Sequence, residues 1–560
     1  MREQYDVIVI GSGFGGSVTA ARLAQAGRSV CLLERGRRWD KREFPRSIGQ
    51  VKNAMWRDHE SYGFIEYKTF RRMDVIQGAG VGGGSLHYFN VHLRAPRDIL
   101  ERPEWPARIK RDAMDPYYDL AQDMLDSRPL EPRLPQFPLP RRTEAFAAAA
   151  AAAGRTAERV PIAVHIGAAG INRHGAFQEP CDYAGDCLLG CRTHSKNTLD
   201  LTYLAMAESR HGLEIFPLHA VDHLAPDPAG YRVQFTRLDP DRPGNGEPGS
   251  VAARQVVVSA GSLGSTQLLL TCRDRRKTLP NLPARLGQRF SGNGDMLFSG
   301  TLGADRVIEP GNGPSITIGA DFTRSGSKHR IFIEDLGFPN PFLWLLEGTL
   351  PSASRSLGLV RAAGSYLGAA LGLHRKDHSR IGFESDSLFA GNRTEHFMPY
   401  LGMGTDAGDG VLSLDAHGDI DLAWDPASSL EMFQEMELGF QELTRGLNGH
   451  YLQSLLWHWP FRRLLTAHPL GGCAMSDRAE DGVVNDRGEV WGHPGLFVID
   501  GAMIPGPLSV NPSMTITALS ERASQWMIHG RDLAERRHVV GAAAPVAPGG
   551  ELQFAGDAAP

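Results

Sequence analysis

The sequence predicts an α/β fold (α+β overall), with a Rossmann-type unit interwoven with a second domain built on an antiparallel sheet. Three observations carry this expectation. Residues 5–36 read strand, Gly-rich turn, helix, strand, which is the pattern of a βαβ unit. Between about 290 and 460 the texture shifts to alternating stretches such as Ser315–Ile318 and Ile331–Glu334. A chain of 560 residues exceeds one ordinary core, so two domains are expected.

The elements follow in order. Tyr5–Ile10 is an apolar strand running into Gly11-Ser12-Gly13-Phe14-Gly15-Gly16, with a helix over Ser17–Gln25 and a strand over Ser29–Leu33 ending in Glu34. Residues 40–75 are polar and aromatic with no clear period, and Gly78-Ala79-Gly80-Val81-Gly82-Gly83-Gly84-Ser85 is a second Gly-rich loop. The alanine run Ala148–Ala153 favours a helix packed through small side chains. Val251–Ala260 is a strand pattern that enters Gly261–Gly264 and a helix over Ser265–Leu270. The expected division is discontinuous. Residues 1–100, 190–300 and 460–540 form the dinucleotide domain; 301–459 and part of 101–189 form the cap. Residues 541–560, rich in Ala, Pro and Gly, form a disordered tail.

Composition narrows the function. Apolar residues make up 42% and charged residues 22%, which is ordinary globular usage. A net charge of −5 with no long basic run gives no reason to expect a nucleic-acid partner. Six cysteines in this length do not form a disulfide scaffold, and the chain enters a strand at once, without a signal-like segment. A cytoplasmic protein with no membrane span is expected.

Gly11–Gly16 fits G-x-G-x-x-G in the right context, after a strand and before a helix. Such glycines let the backbone approach a pyrophosphate, and Glu34, 18 residues past Gly16, suits the ribose hydroxyls. The unit alone serves NAD or FAD. The Gly78–Ser85 loop and Gly261 after the later strand offer two further close approaches, and one cofactor touched by three distant segments is FAD. Near the C-terminus, Thr466-Ala467-His468-Pro469-Leu470-Gly471-Gly472 and Val510-Asn511-Pro512-Ser513 hold a histidine and an asparagine between rigid neighbours, with Asp500-Gly501 between them. A neutral imidazole can take a hydroxyl proton, and an amide can hold the same oxygen.

Taken together, these motifs resemble the glucose–methanol–choline (GMC) family of flavin oxidoreductases over nearly the whole chain, and within it the bacterial cholesterol-oxidase branch. Gly78–Leu86, Ser195–Thr198 and Val510–Ser513 carry the branch resemblance. The resemblance implies oxidation of a hydrophobic alcohol, a 3β-hydroxysteroid first, with hydride passing to flavin N5 and oxygen or another acceptor reoxidising the flavin. It implies FAD contacts from Gly11–Gly16, Glu34, Gly78, Gly80, Gly82, Gly83, Gly84, Ser85, Gly261, Asp500, Gly501, Asn511 and Pro512. It gives His468 the role of base and Asn511 that of hydroxyl ligand; Asn511 also suits a helix N-cap, with Pro512 in the first turn. Glu334 stands where an acid/base glutamate would move a double bond from Δ5 to Δ4, and its neighbour Asp335 should point oppositely. His87 lies where some members link a histidine covalently to the flavin.

Other readings are a dehydrogenase of polar alcohols or sugars, a flavin lyase or photoenzyme, and a non-catalytic FAD-binding protein. Cys181, Cys187 and Cys191, near His194, read as a thiol cluster, a local disulfide or a metal site of non-standard spacing; no metal ligand is assigned. The apolar stretch Phe342–Leu373, including Leu345, Leu346, Leu350, Leu357, Leu359 and Val360, suits core packing, a substrate-facing lid or a peripheral membrane contact. Nothing in the sequence sets the oligomeric state.

Overall fold

The computed structural model describes residues 1–132, 138–343, 394–457 and 462–533, with isolated positions 360, 364, 367 and 371. The expected tail and most of the 342–373 stretch lie outside these residues.

The N-terminal strand Gln4–Ile10 lies at the centre of a seven-stranded sheet, parallel to Val30–Leu33 on one side and to Gly246–Val258 on the other. Val30–Leu33 is buried at every position, as expected of a parallel strand covered on both faces. Gly246–Val258 changes partner along its length. Residues 246–253 pair antiparallel with Gly230–Leu238, and Val256–Val258 pair parallel with Leu496–Val498. That short strand returns the C-terminal part of the chain to the first sheet. The helix after the fingerprint spans Phe14–Gln25 and so starts three residues earlier than the sequence suggested, because Gly15 and Gly16 are already helical. It packs on helix Ser513–His529, and Arg22 holds Glu521 through two bonds of 2.8 Å.

A six-stranded antiparallel sheet forms the second layer, in the order His450–Leu452, Met296–Leu302, Met398–Gly404, Ile331–Asp335, Ile318–Asp321, Ala157–Arg159. The expected strand over 315–318 begins only at Ile318; the Asp335 carboxylate accepts from the amides of both Thr317 and Ile318. The alanine-run helix, Arg141–Ala152, crosses helix Leu430–Gly446 so closely that a Cβ on Gly446 would lie 2.7 Å from the Ala149 Cα. That close approach explains the small side chains.

A third, three-stranded sheet positions the site. Leu464–Thr466 runs parallel to Met73–Gly78, which pairs antiparallel with Ile65–Thr69. Thr466 pairs with Val75, so the residues after it run on in the same direction as Ile76–Gly78, toward the Gly78–Ser85 loop.

Candidate active site

Three glycine-bearing loops meet around one cavity of about 640 Å³, and their glycines do two different jobs. Some let backbones touch. A Cβ on Gly15 would lie 1.7 Å from the Ile499 carbonyl oxygen, one on Gly16 1.9 Å from that of Gly11, and one on Gly83 2.5 Å from the Gly13 Cα. Others leave backbone bare: a Cβ on Gly13, Gly84 or Gly261 would meet nothing within 4 Å. These open faces line the cavity with Gly11, Phe14, Gly15, Glu34, Gly78, Gly83, His87, Asp500, Gly501, Asn511 and Pro512. The residues therefore fit FAD, which needs bare amides for a pyrophosphate and a long enclosed slot.

Gly16, Gly80, Gly82 and Ser85 do not line the cavity. Ser85 donates to the Gly82 carbonyl at 2.7 Å and accepts from the Leu199 amide at 3.1 Å, so it shapes the loop. Asp500 accepts from the Gly261 amide (2.8 Å), the Ser265 hydroxyl (2.5 Å) and the Ala502 amide (2.8 Å). It ties two loops together, and burial pushes its carboxyl up to about 6. Glu34 is raised by burial and accepts from Ser12 and Gly36.

His468 and Asn511 both face this cavity. The His468 Nδ1 lies 2.9 Å from Asp295 Oδ1, and Asp295 is fully buried. The other Asp295 oxygen accepts from the Thr466 hydroxyl at 2.9 Å and the Ala467 amide at 3.0 Å. A carboxylate on Nδ1 keeps the proton there and leaves Nε2 as an acceptor toward the cavity. Sequence reading missed Asp295. It sits 173 residues before His468 in a Gly-rich turn, with no motif to link them.

Asn511 donates through Nδ2 to Glu334 Oε2 at 3.3 Å. It is not a helix cap: the helix starts at Ser513 after Pro512 with no side-chain cap bond. Glu334 is fully buried, and burial, then Asp335 and Asp295, raise its carboxyl well above the usual range against the opposing bond from Asn511. It does not line the cavity but stands behind Asn511. A protonated Glu334 can donate to the Asn511 oxygen with the amide turned over, which presents Nδ2 to a substrate oxygen. Asp335 does point the other way, into a buried ion pair with Arg142 at 2.9 Å.

His87 lines the cavity with its Nε2 unpartnered among the described residues; burial, helped by Lys196 and His468, pushes it down to about 3, so its ring is neutral. Lys196, from the Ser195–Thr198 segment, is buried and donates to the carbonyls of Leu86 (2.8 Å) and Tyr88 (3.2 Å) on either side of His87, and to that of Cys187 (2.7 Å). Cys181, Cys187 and Cys191 are free thiols. Among the described residues no cluster has the make-up of a metal site.

Among the described residues, apolar side chains of Val91, Leu188, Leu297, Phe298, Leu336 and Phe338 line the same cavity as His468 and Asn511. Of the apolar stretch after Phe342, Leu345, Leu346, Leu350, Leu357 and Leu359 lie outside the described residues, and Val360 is exposed. Phe298 has φ 65°, a conformation costing a bulky residue on the order of 1–3 kcal/mol, at an irregularity in its strand pairing. Its ring meets Phe338 edge-on at 6.2 Å. Among the described residues no helix is long and apolar enough to cross a membrane.

A single cavity lined by bare glycine loops, apolar side chains and a histidine oriented by a buried carboxylate fits a flavin-dependent oxidoreductase. Comparison with known proteins agrees. The N-terminal part of the GMC oxidoreductase family matches residues 5–272 and its C-terminal part residues 455–520. Curated relatives include a cholesterol oxidase of Mycobacterium tuberculosis, 30% identical over 94% of this chain and 92% of its own length. Another is a cholesterol oxidase of Acinetobacter baumannii, 26% identical over 95% and 96%. Among solved structures, a pyridoxine 4-oxidase from Mesorbium loti aligns with a TM-score of 0.62 at 17% identity, covering 94% of this chain and 99% of its own. This chain belongs to the GMC oxidoreductase family. It is an FAD-dependent enzyme that oxidises the CH–OH group of alcohols.

Proposed function

We propose that the alcohol is a secondary one on a bulky apolar body, a 3β-hydroxysteroid first, with His468 as the base and Asn511 as the hydroxyl ligand. The observation that supports this reading is that His468 and Asn511 line one cavity together with the cofactor-binding glycine loops and the apolar side chains of Val91, Leu297, Phe298 and Leu336. The cholesterol oxidases that resemble this chain support the steroid choice, and a long-chain-alcohol oxidase of Arabidopsis thaliana, 24% identical over 92% of the chain, supports an apolar alcohol more broadly.

FAD, when bound by the glycine loops and Glu34, supplies the hydride acceptor. The chain's residues do the rest. Asn511 holds the hydroxyl oxygen, and His468 Nε2 takes its proton as the C–H bond breaks. Asp295 stabilises the resulting imidazolium, worth several kcal/mol in such a dry site. The apolar wall excludes water and seats the carbon skeleton. For Glu334 the geometry supports a role on Asn511; moving a double bond requires its carboxyl to swing past Asn511 into the chamber. We propose further that the mixed seven-stranded sheet and the six-stranded antiparallel sheet belong to the FAD domain and the cap, and that His87 forms a covalent link to the flavin. Oxygen is the acceptor this reading favours.

The test is an anaerobic screen of flavin bleaching over sterols, aliphatic alcohols and sugars. Rapid bleaching by 3β-hydroxysteroids supports the reading; bleaching by sugars and not by sterols overturns it.

A further inference from the structure

Both members of the catalytic pair lead back to one five-residue turn, Ser291-Gly292-Asn293-Gly294-Asp295, which enters strand Met296–Leu302. Asp295 takes the His468 ring. Asn293, two residues earlier, is fully buried and spends its whole amide on the segment leading into Asn511. Its Oδ1 accepts from the Leu508 amide at 2.8 Å and the Ser509 amide at 3.0 Å, and its Nδ2 donates to the Val510 carbonyl at 3.0 Å.

That segment needs holding. Ser509 is buried with φ 59°, a left-handed conformation that a serine adopts only under constraint. The turn is held in its own right. The Asp406 carboxylate accepts from the Ser291 hydroxyl at 2.7 Å, the Gly292 amide at 3.1 Å and the Gly294 amide at 3.0 Å. A Cβ on Gly294 would lie 2.4 Å from the Gly404 carbonyl oxygen, so the turn is seated directly on the cap strand next to the one bearing Glu334.

We propose that residues 291–295 are a single template that sets His468 and Asn511 relative to each other, with Asn293 the positioning residue for Asn511 as Asp295 is for His468. This rests on the reading of His468 and Asn511 as the pair that takes the alcohol. The two side chains come from loops 43 residues apart in sequence; one rigid turn bonded to both converts two loop positions into one fixed distance. Misplacement by about 1 Å costs an enzyme on the order of 100-fold in rate.

Asn293→Gly is the informative variant, because φ at this position is 58°, which glycine adopts without strain, so only the three side-chain bonds are lost. In the FAD-loaded enzyme, anaerobic stopped-flow reduction by the best alcohol of the screen should slow about 10- to 100-fold. FAD content and the pH profile should stay as in the wild type, since His468 and Asp295 are untouched. The double variant with Asn511→Ala should be no slower than Asn511→Ala alone, because the effect of Asn293 runs through Asn511. Wild-type reduction in Asn293→Gly, or losses that multiply in the double variant, would overturn the template. If Asn293→Gly does not fold, Asn293→Asp replaces it under the same criteria: it keeps both acceptor bonds and turns the donation to Val510 into repulsion. An Asn511→Ala enzyme that reduces at the wild-type rate would sink the pair itself, a result distinct from a failed template.

Discussion

Replacing Asp295 by Asn tests the chemistry with almost no change in shape. The surroundings dictate how the new amide must sit. One carboxylate oxygen accepts from the Thr466 hydroxyl and the Ala467 amide, so the Asn oxygen stays there. Its NH₂ then faces His468 Nδ1, where the carboxylate oxygen stood at 2.9 Å. A donor in that place makes Nδ1 the acceptor and moves the ring proton to Nε2. The nitrogen facing the substrate can no longer take a proton, and the charge that would stabilise an imidazolium is gone. The same exchange in the serine-protease triad costs about 10⁴ in kcat. Here, without a nucleophile to activate, a loss of about 10³, or ~4 kcal/mol of barrier, is expected. The assay is anaerobic stopped-flow bleaching of the flavin at saturating alcohol, with FAD content and unfolding midpoint measured alongside. A folded, FAD-loaded Asp295→Asn enzyme that bleaches within threefold of wild type would show that His468 is not a base oriented by Asp295.

Three further outcomes are expected. Glu334→Gln keeps a donor for the Asn511 oxygen, so alcohol oxidation should fall less than about tenfold, whereas Glu334→Leu strands a buried amide and should cost more. Equal Gln and Leu rates would remove Glu334 from Asn511. His92 is buried with both ring nitrogens unpartnered among the described residues, and burial pushes it down to about 3. The unfolded chain therefore binds its proton first. His92 costs nothing above the ordinary 6.5, and stability falls as pH drops below that value, by about 1.4 kcal/mol per unit, until the folded ring titrates. His92→Phe should lose about 2 kcal/mol less than wild type between pH 7 and pH 5 in denaturant titrations, and identical losses would refute the burial argument. Acid precipitation tests His87: a yellow pellet is expected, and flavin left wholly in the supernatant rules out a covalent link.

Much of the fold was legible because its signals are local. The βαβ unit shows in Tyr5–Glu34 because strand, glycine turn and helix each follow from neighbours a few residues apart. The alanine run read correctly as a helix, though not the reason for it, which is the approach of Gly446 to Ala149. Boundaries were less legible. Thr317 looks like part of a strand, yet the strand starts one residue later, and Asn511 looks like a cap until Glu334 takes its side chain.

By itself, then, the sequence determined the glycine fingerprint, the histidine and asparagine, and through their order the family to which the chain belongs. These are properties of short segments whose backbone demands can be read residue by residue. Only the tertiary structure decided what those residues face. It set Asp295 behind His468, put Glu334 at the back of Asn511 and outside the cavity lining, and brought Val91, Leu297 and Phe298 to the cavity. The reason is physical: a hydrogen bond across 173 residues or a wall gathered from four separate segments leaves no periodicity in the chain, because its energy depends on where the sheets place the ends of their strands.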